Sequence, residues 1–219
     1  APPPSVNEFM HRYSPYLPQG NYFQAEGRSA ERLREALKKM NANTSIGIDG
    51  WRVSELRRLL DAMLQRFADF LARVEAEGAW PQCIATGLIS MLSKGEGLKP
   101  NKLRPITVMS TLYRAWAAVR VREVMLWQEG WASSSLYGFR HFLGCEDLFW
   151  QTALEVENAL LKGEDLYGIS LDFAKAFDKV PTNIVLSLAR QAGLPETILR
   201  PLEGMYGQLR RHFKLGGQC

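Results

Sequence analysis

Cysteine is scarce in this 219-residue chain: Cys83, Cys145 and Cys219 stand far apart, with no Cys-x-x-Cys and no histidine at ligand spacing. That excludes a disulfide-stapled scaffold, argues against a structural zinc site and suits a reducing compartment. No run approaches twenty apolar residues, so no membrane-spanning helix is expected. A signal-peptide pattern and an internal repeat are also missing. Neither sign of charge dominates, the formal net charge being +4, and 46% of the residues are apolar. That is enough for the core of one large domain or two small ones.

The basic residues gather in one place. Between positions 94 and 122, Lys94, Lys99, Lys102, Arg104, Arg114, Arg120 and Arg122 meet a single acid, Glu96. Such a stretch suits a polyanion-binding surface, because each phosphate neutralised releases counterions. A solvated basic face is the plainer alternative.

Residues 1–28 begin with consecutive prolines and show little periodicity, so they read as an extended lead-in outside the core. Ser29 is placed to cap a helix whose apolar face is Leu33, Leu37 and Met40. A turn-rich stretch at 41–50 precedes a second, longer helix, with apolar residues at helical spacing from Leu56 to Val74 and a stop near Gly78. Segments 88–92 and 103–109 are short and apolar, and the lysines, glycines and proline between them make an antiparallel hairpin with a basic tip. Ser110 or Thr111 can cap the next helix, to about Gln128, and 146–162 forms another, closed by Gly163. An apolar run at 166–171 reads as a short buried strand. Positions 182–191 and 195–211 read as helices, the second weakened by Pro201 and Gly204, and 212–215 as a further short strand.

Four places carry chemistry. Asp172 ends the expected strand in Ile169-Ser170-Leu171-Asp172-Phe173-Ala174-Lys175-Ala176-Phe177-Asp178-Lys179. A carboxylate there, with small neighbours, suits a hard cation that must meet a polyphosphate close to the backbone; an acid capping the following turn is the plainer reading. Lys94 and Arg104, on facing strands of one hairpin, would point into a common space where a triphosphate could be clamped. Ordinary solvated cations are the alternative. In Ser45-Ile46-Gly47-Ile48-Asp49-Gly50 the glycines permit a tight turn and Asp49 can cap the helix that follows. Glu146 and Asp147 sit at a helix start, where the macrodipole favours acids, so capping is their expected task.

The segment around Asp172 resembles the first catalytic motif of reverse transcriptases, those of non-LTR (LINE-like) retrotransposons in particular. Trp80-Pro81, the 88–94 strand, Leu103-Arg104-Pro105-Ile106-Thr107, Tyr113-Arg114 and Arg120 are similar to the fingers of that family. Tyr137-Gly138-Phe139-Arg140 with Cys145-Glu146-Asp147 is similar to its next block, and the Gly47-to-Gly50 turn to its N-terminal extension. The resemblance covers roughly positions 44–181, in the family's order.

The resemblance implies an α+β fold: a fragment of a right-hand polymerase, mostly helical, with a fingers β-hairpin and the first palm strand. Its parts would be a lead-in (1–28), an N-terminal helical extension (29–79), fingers (80–163) and the start of the palm (164–219). It implies two Mg²⁺ (or Mn²⁺) ions held by the Asp172 carboxylate and the Phe173 carbonyl. The incoming dNTP would meet Lys94, Arg104, Phe173, Ala174, Lys175, Ala176 and Phe177, with Phe177 as the gate against a ribose hydroxyl. Gly138, Phe139 and Arg140 would hold the RNA template, although a buried Phe139 beside a structural Arg140 fits nearly as well. A DNA primer completes the set of partners, and the nucleus and cytoplasm of a eukaryotic host the compartments.

The family's second carboxylate block, an aromatic-x-Asp-Asp hairpin, has no counterpart here, since the chain contains no Asp-Asp pair. The expectation is therefore a piece of a polymerase, inactive alone, whose parent supplies the remaining palm and thumb. A decayed or domesticated copy that only binds RNA is the alternative, and an unrelated helical scaffold a third.

Overall fold

The protein is described here by a computed structural model over residues 4–17, 20, 22–93, 95, 103–173 and 179–213. It is mixed α/β, mostly helical, with a three-stranded sheet in which Thr86–Ser93 lies between Leu103–Val108 and Arg210–Phe213. Two compact units divide it: residues 1–23 with 124–194, and residues 24–123 with 195–219. No described helix is long and apolar enough to cross a membrane.

The larger unit is built on local signals. Ser29 accepts the Arg32 N–H at 3.3 Å and starts α2, Ala30–Lys39, whose Leu33 and Leu37 are fully buried. The longer helix expected next is interrupted, giving α3, Val53–Leu56, and α4, Asp61–Glu77. Two arginines explain the break. Arg34 donates to the carbonyls of Arg57 and Leu59 and to Asp61, while Arg57 donates to the carbonyls of Leu37 and Met40. Carbonyls used this way satisfy helix ends without a continuous ladder. Leu37, Leu56, Leu64 and Ala115 form a core cluster between these elements. Gly78, at φ +72°, closes α4 as expected.

Strand β1, Thr86–Ser93, pairs antiparallel with β2, Leu103–Val108, and Arg104 stands opposite Leu92. The hairpin is therefore present, while its tip, with Lys94, lies outside the described residues. The first half of β1 is buried and its outer end is exposed. Helix α5, Thr111–Glu129, follows, and α8, Glu196–Gln208, packs on α4. Pro201 and Gly204 do not break α8. The Pro201 carbonyl accepts the Trp80 indole N–H at 2.8 Å, and a Cβ at Gly204 would lie 1.7 Å from the Gly78 carbonyl oxygen. The proline and glycine therefore fit the contact between α8 and the segment after α4. Strand β3, Arg210–Phe213, adds to β1 in parallel, starting two residues earlier than expected.

Beneath α5 lies an ionic cluster. Glu75 and Arg120, each 2% exposed, are joined by two hydrogen bonds of 2.9 and 2.8 Å, and Glu75 also accepts the Trp116 indole N–H at 2.6 Å. Arg28 pairs with the same carboxylate, and Arg120 reaches Glu123 at 2.7 Å. Arg120 thus belongs to the core rather than to a polyanion-binding face.

The smaller unit departs more from expectation. Positions 6–13 are not extended: α1, Val6–Tyr13, is helical, and Ser5 accepts the Glu8 N–H at 3.2 Å. A short 3₁₀ turn, Ser14–Tyr16, follows. Helix α6, Cys145–Lys162, ends at Gly163, and α7, Thr182–Gln191, lies against α1. The run at 166–171 forms no strand. Ile169 is 90% exposed and Leu171 79%. A strand needs a neighbour to satisfy its backbone, and no described segment pairs with this one. The first palm strand of the expected fold is therefore not formed here.

Candidate functional site

Around the base of the hairpin, the 45–52 segment is fastened to the start of α5. Asp49 Oδ2 accepts the Leu112 N–H at 3.1 Å and the Ser110 hydroxyl at 2.7 Å. Asp49 thus caps α5, some sixty residues away, rather than the helix that follows it. The Thr111 hydroxyl donates to the Trp51 carbonyl at 2.7 Å, and Arg114 donates to the Ser45 carbonyl at 2.7 Å. Burial draws the Arg114 pKa below its ordinary value, and Asp49 pulls the other way. Gly47 is needed because a Cβ there would lie 2.6 Å from the Met109 carbonyl oxygen. Gly50, at φ +71°, completes the turn.

Beside this turn is a cavity of about 480 Å³, lined among others by Asn43, Thr44, Ser45, Arg52, Ser90 and Val108. Hydroxyls, an amide and a guanidinium make it a polar recess open to a ligand with acceptor groups. Sequence reasoning missed Arg52 and Ser90, since no motif marks them. Arg104 is exposed on β2, toward the outer end of the hairpin, near exposed Met91 and Leu92. Of the other cations expected to form a basic surface, Arg114 and Arg120 are committed to internal bonds. Arg122 is exposed.

In the smaller unit, Arg140 is held in place. Its guanidinium meets both oxygens of Glu129, at 2.8 and 2.6 Å, and donates to the Ser133 carbonyl at 2.8 Å. Glu129 also accepts the His141 N–H at 3.0 Å. These bonds, the Arg140 side chain first, hold the Glu129 carboxyl down at about 2, and the same contact raises the Arg140 pKa. Arg140 is therefore structural, as one of the two sequence readings had it. Phe139 is not buried: it is 83% exposed, and Phe142 is 89% exposed. Both adopt positive φ, +58° and +60°, uncommon for such residues and costing on the order of 1–2 kcal/mol each. The clamped loop thus presents two aromatic faces outward, a geometry suited to stacking on unpaired bases. Gly138 lies in the turn just before them. Asp147 accepts the Gly144 N–H at 2.7 Å, which fits the capping task expected of it.

Asp172 and Phe173 are exposed on the irregular stretch after α6. Ala174, Lys175, Ala176 and Phe177 lie outside the described residues, as does Lys94. The described residues contain no group of three or more His, Cys, Asp or Glu able to hold a metal. An exposed carboxylate followed by a backbone carbonyl offers oxygen ligands of the kind a hard cation takes. No known protein-family model matches the chain. No curated protein matches it in sequence either.

Proposed function

We propose that the chain is part of an RNA-directed DNA polymerase of the non-LTR retroelement type, which adds deoxynucleotides to a primer 3′-hydroxyl on an RNA template. The observation that carries this reading is the order of the sequence blocks: the Gly47-to-Gly50 turn, the hairpin with Arg104, the Phe139-Arg140 block and the Asp172 segment. Two structural facts support it. The hairpin exists with Arg104 exposed toward its outer end, and Phe139 and Phe142 stand out from a loop pinned by Arg140. Asp172, with the Phe173 carbonyl, would hold Mg²⁺ or Mn²⁺ together with carboxylates from the rest of the palm. Those ions supply nucleophile activation and charge neutralisation at the α-phosphate.

The test uses a longer protein that contains this chain, given a DNA primer on an RNA template with dNTPs and Mg²⁺. Extension is expected, and Phe177→Val should raise the ratio of ribonucleotide to deoxynucleotide incorporation. No extension, or an unchanged ratio, counts against the proposal. One observation favours a second reading, a remnant that binds RNA without chemistry: the 166–171 run, which should form the first palm strand, is exposed and forms no strand. Under that reading the longer protein would retain RNA and extend nothing.

A further inference from the structure

Helix α6 is amphipathic, with Asp147, Gln151, Glu155, Asn158 and Lys162 on one face, yet Ala159 is its one buried residue. The apolar side of such a helix ordinarily faces a core. Trp150, Leu154 and Leu161, at i, i+4 and i+11, form one stripe and are 65%, 62% and 89% exposed. With the irregular stretch that follows, the uncovered apolar area is on the order of 1,000 Å², beyond the roughly 300–600 Å² of the largest patch on an ordinary monomer.

Charge narrows the occupant. From Cys145 to Phe173 seven carboxylates stand against one cation, Lys162, in a chain whose net charge is +4. Glu157 falls on the Trp150–Leu161 stripe itself, and Glu164 follows Leu161 by three residues. An anionic phosphate surface would be repelled, so the partner is a protein face that is apolar at its floor and basic at its rim.

The chain carries such a face in its other unit. Between α2 and α5 lies a groove of about 270 Å³ lined by Ala36, Ala118 and Val121, with three cations, Arg32, Lys39 and Arg122, against one acid, Glu35. Val121 is 48% exposed, and Lys39 and Arg122 are exposed. We infer that α6 of one copy docks by its Trp150–Leu161 stripe into the α2–α5 groove of a second copy, with Glu157 and Glu164 against Lys39 and Arg122. The contact joins different surfaces, so copies associate head to tail, as a closed ring or as an open chain. This inference stands apart from the polymerase proposal, and its readout is assembly rather than activity.

Sedimentation velocity across a roughly hundredfold range of concentration tests it. The wild-type chain is expected to gain mass with concentration. Glu157→Lys with Glu164→Lys, and separately Lys39→Glu with Arg122→Glu, should each weaken association at least about tenfold. Mixing the two variants should restore it, because the acidic helix of the second meets the basic groove of the first. Restoration also shows that both variants are folded. Leu161→Lys should also weaken association, because it sets a cation against the apolar and basic lining of the groove. A wild-type chain that stays monomeric, association indifferent to either reversal, or variants that ignore each other on mixing would overturn the inference.

Discussion

Asp49 Oδ2 lies 3.1 Å from the Leu112 N–H, so a turn early in the chain caps a helix sixty residues later. The same oxygen takes the Ser110 hydroxyl at 2.7 Å, which joins strand end, helix start and turn in one knot. Asp49→Ala should therefore cost about 1–2 kcal/mol, read as a lower urea midpoint with unchanged slope. Gly47→Ala should cost at least as much, because the obstructing atoms are backbone. A neutral Gly47→Ala would mean that the turn is not seated against Met109.

The buried Glu75–Arg120 pair gives a second prediction. Glu75→Ala leaves Arg120, which is 2% exposed, with Glu123 as its remaining acid and removes two of its buried bonds, and should destabilise by about 3–5 kcal/mol. Glu75→Leu combined with Arg120→Met should recover much of that loss, measured by thermal or urea unfolding. A mild single mutant would show that water or Glu123 relieves the charge.

Acid should loosen the loop that carries Phe139. The Glu129 carboxyl is held down at about 2 by Arg140 and the His141 N–H, against an ordinary value near 4.5. A depressed carboxylate contributes stability above its unfolded pKa and loses it as pH falls toward the folded one. Amide exchange at 133–141, corrected for intrinsic rates, should therefore speed up between about pH 4.5 and 2. Glu129→Gln should remove that pH dependence.

How much of this was legible in the sequence depends on how local each signal is. Ser29, Gly78 and Gly163 mark helix ends through bonds within a few residues, and the hairpin follows from two apolar segments flanking turn residues. The break between α3 and α4 was hidden because Arg34 and Arg57 act across some twenty residues. Asp49 was read as a cap for its neighbour, while its partner lies across the fold. Helix α1 was masked by the prolines before Ser5. The 166–171 run has a strand's composition, but a strand also requires a partner, and no described segment provides one. At the site, exposed Phe139 and the Arg140 fork could be weighed from sequence only as alternatives; the cavity beside Arg52 left no motif to find.

Phe139→Ala should leave folding intact, since the side chain is 83% exposed, and should weaken binding of single-stranded RNA by about 1–3 kcal/mol. Fluorescence anisotropy with a labelled oligonucleotide reads this directly. Equal affinity for both proteins would remove the stacking role.

Asp172 is proposed to grip the metal ions of a polymerase. Primer extension by Asp172→Asn, in a longer protein containing this chain, tests it most directly, with RNA binding measured on the same preparation. The account predicts extension abolished with Mg²⁺ and RNA affinity nearly unchanged, because neutralising an acid removes no phosphate contact. Substantial residual extension would contradict it.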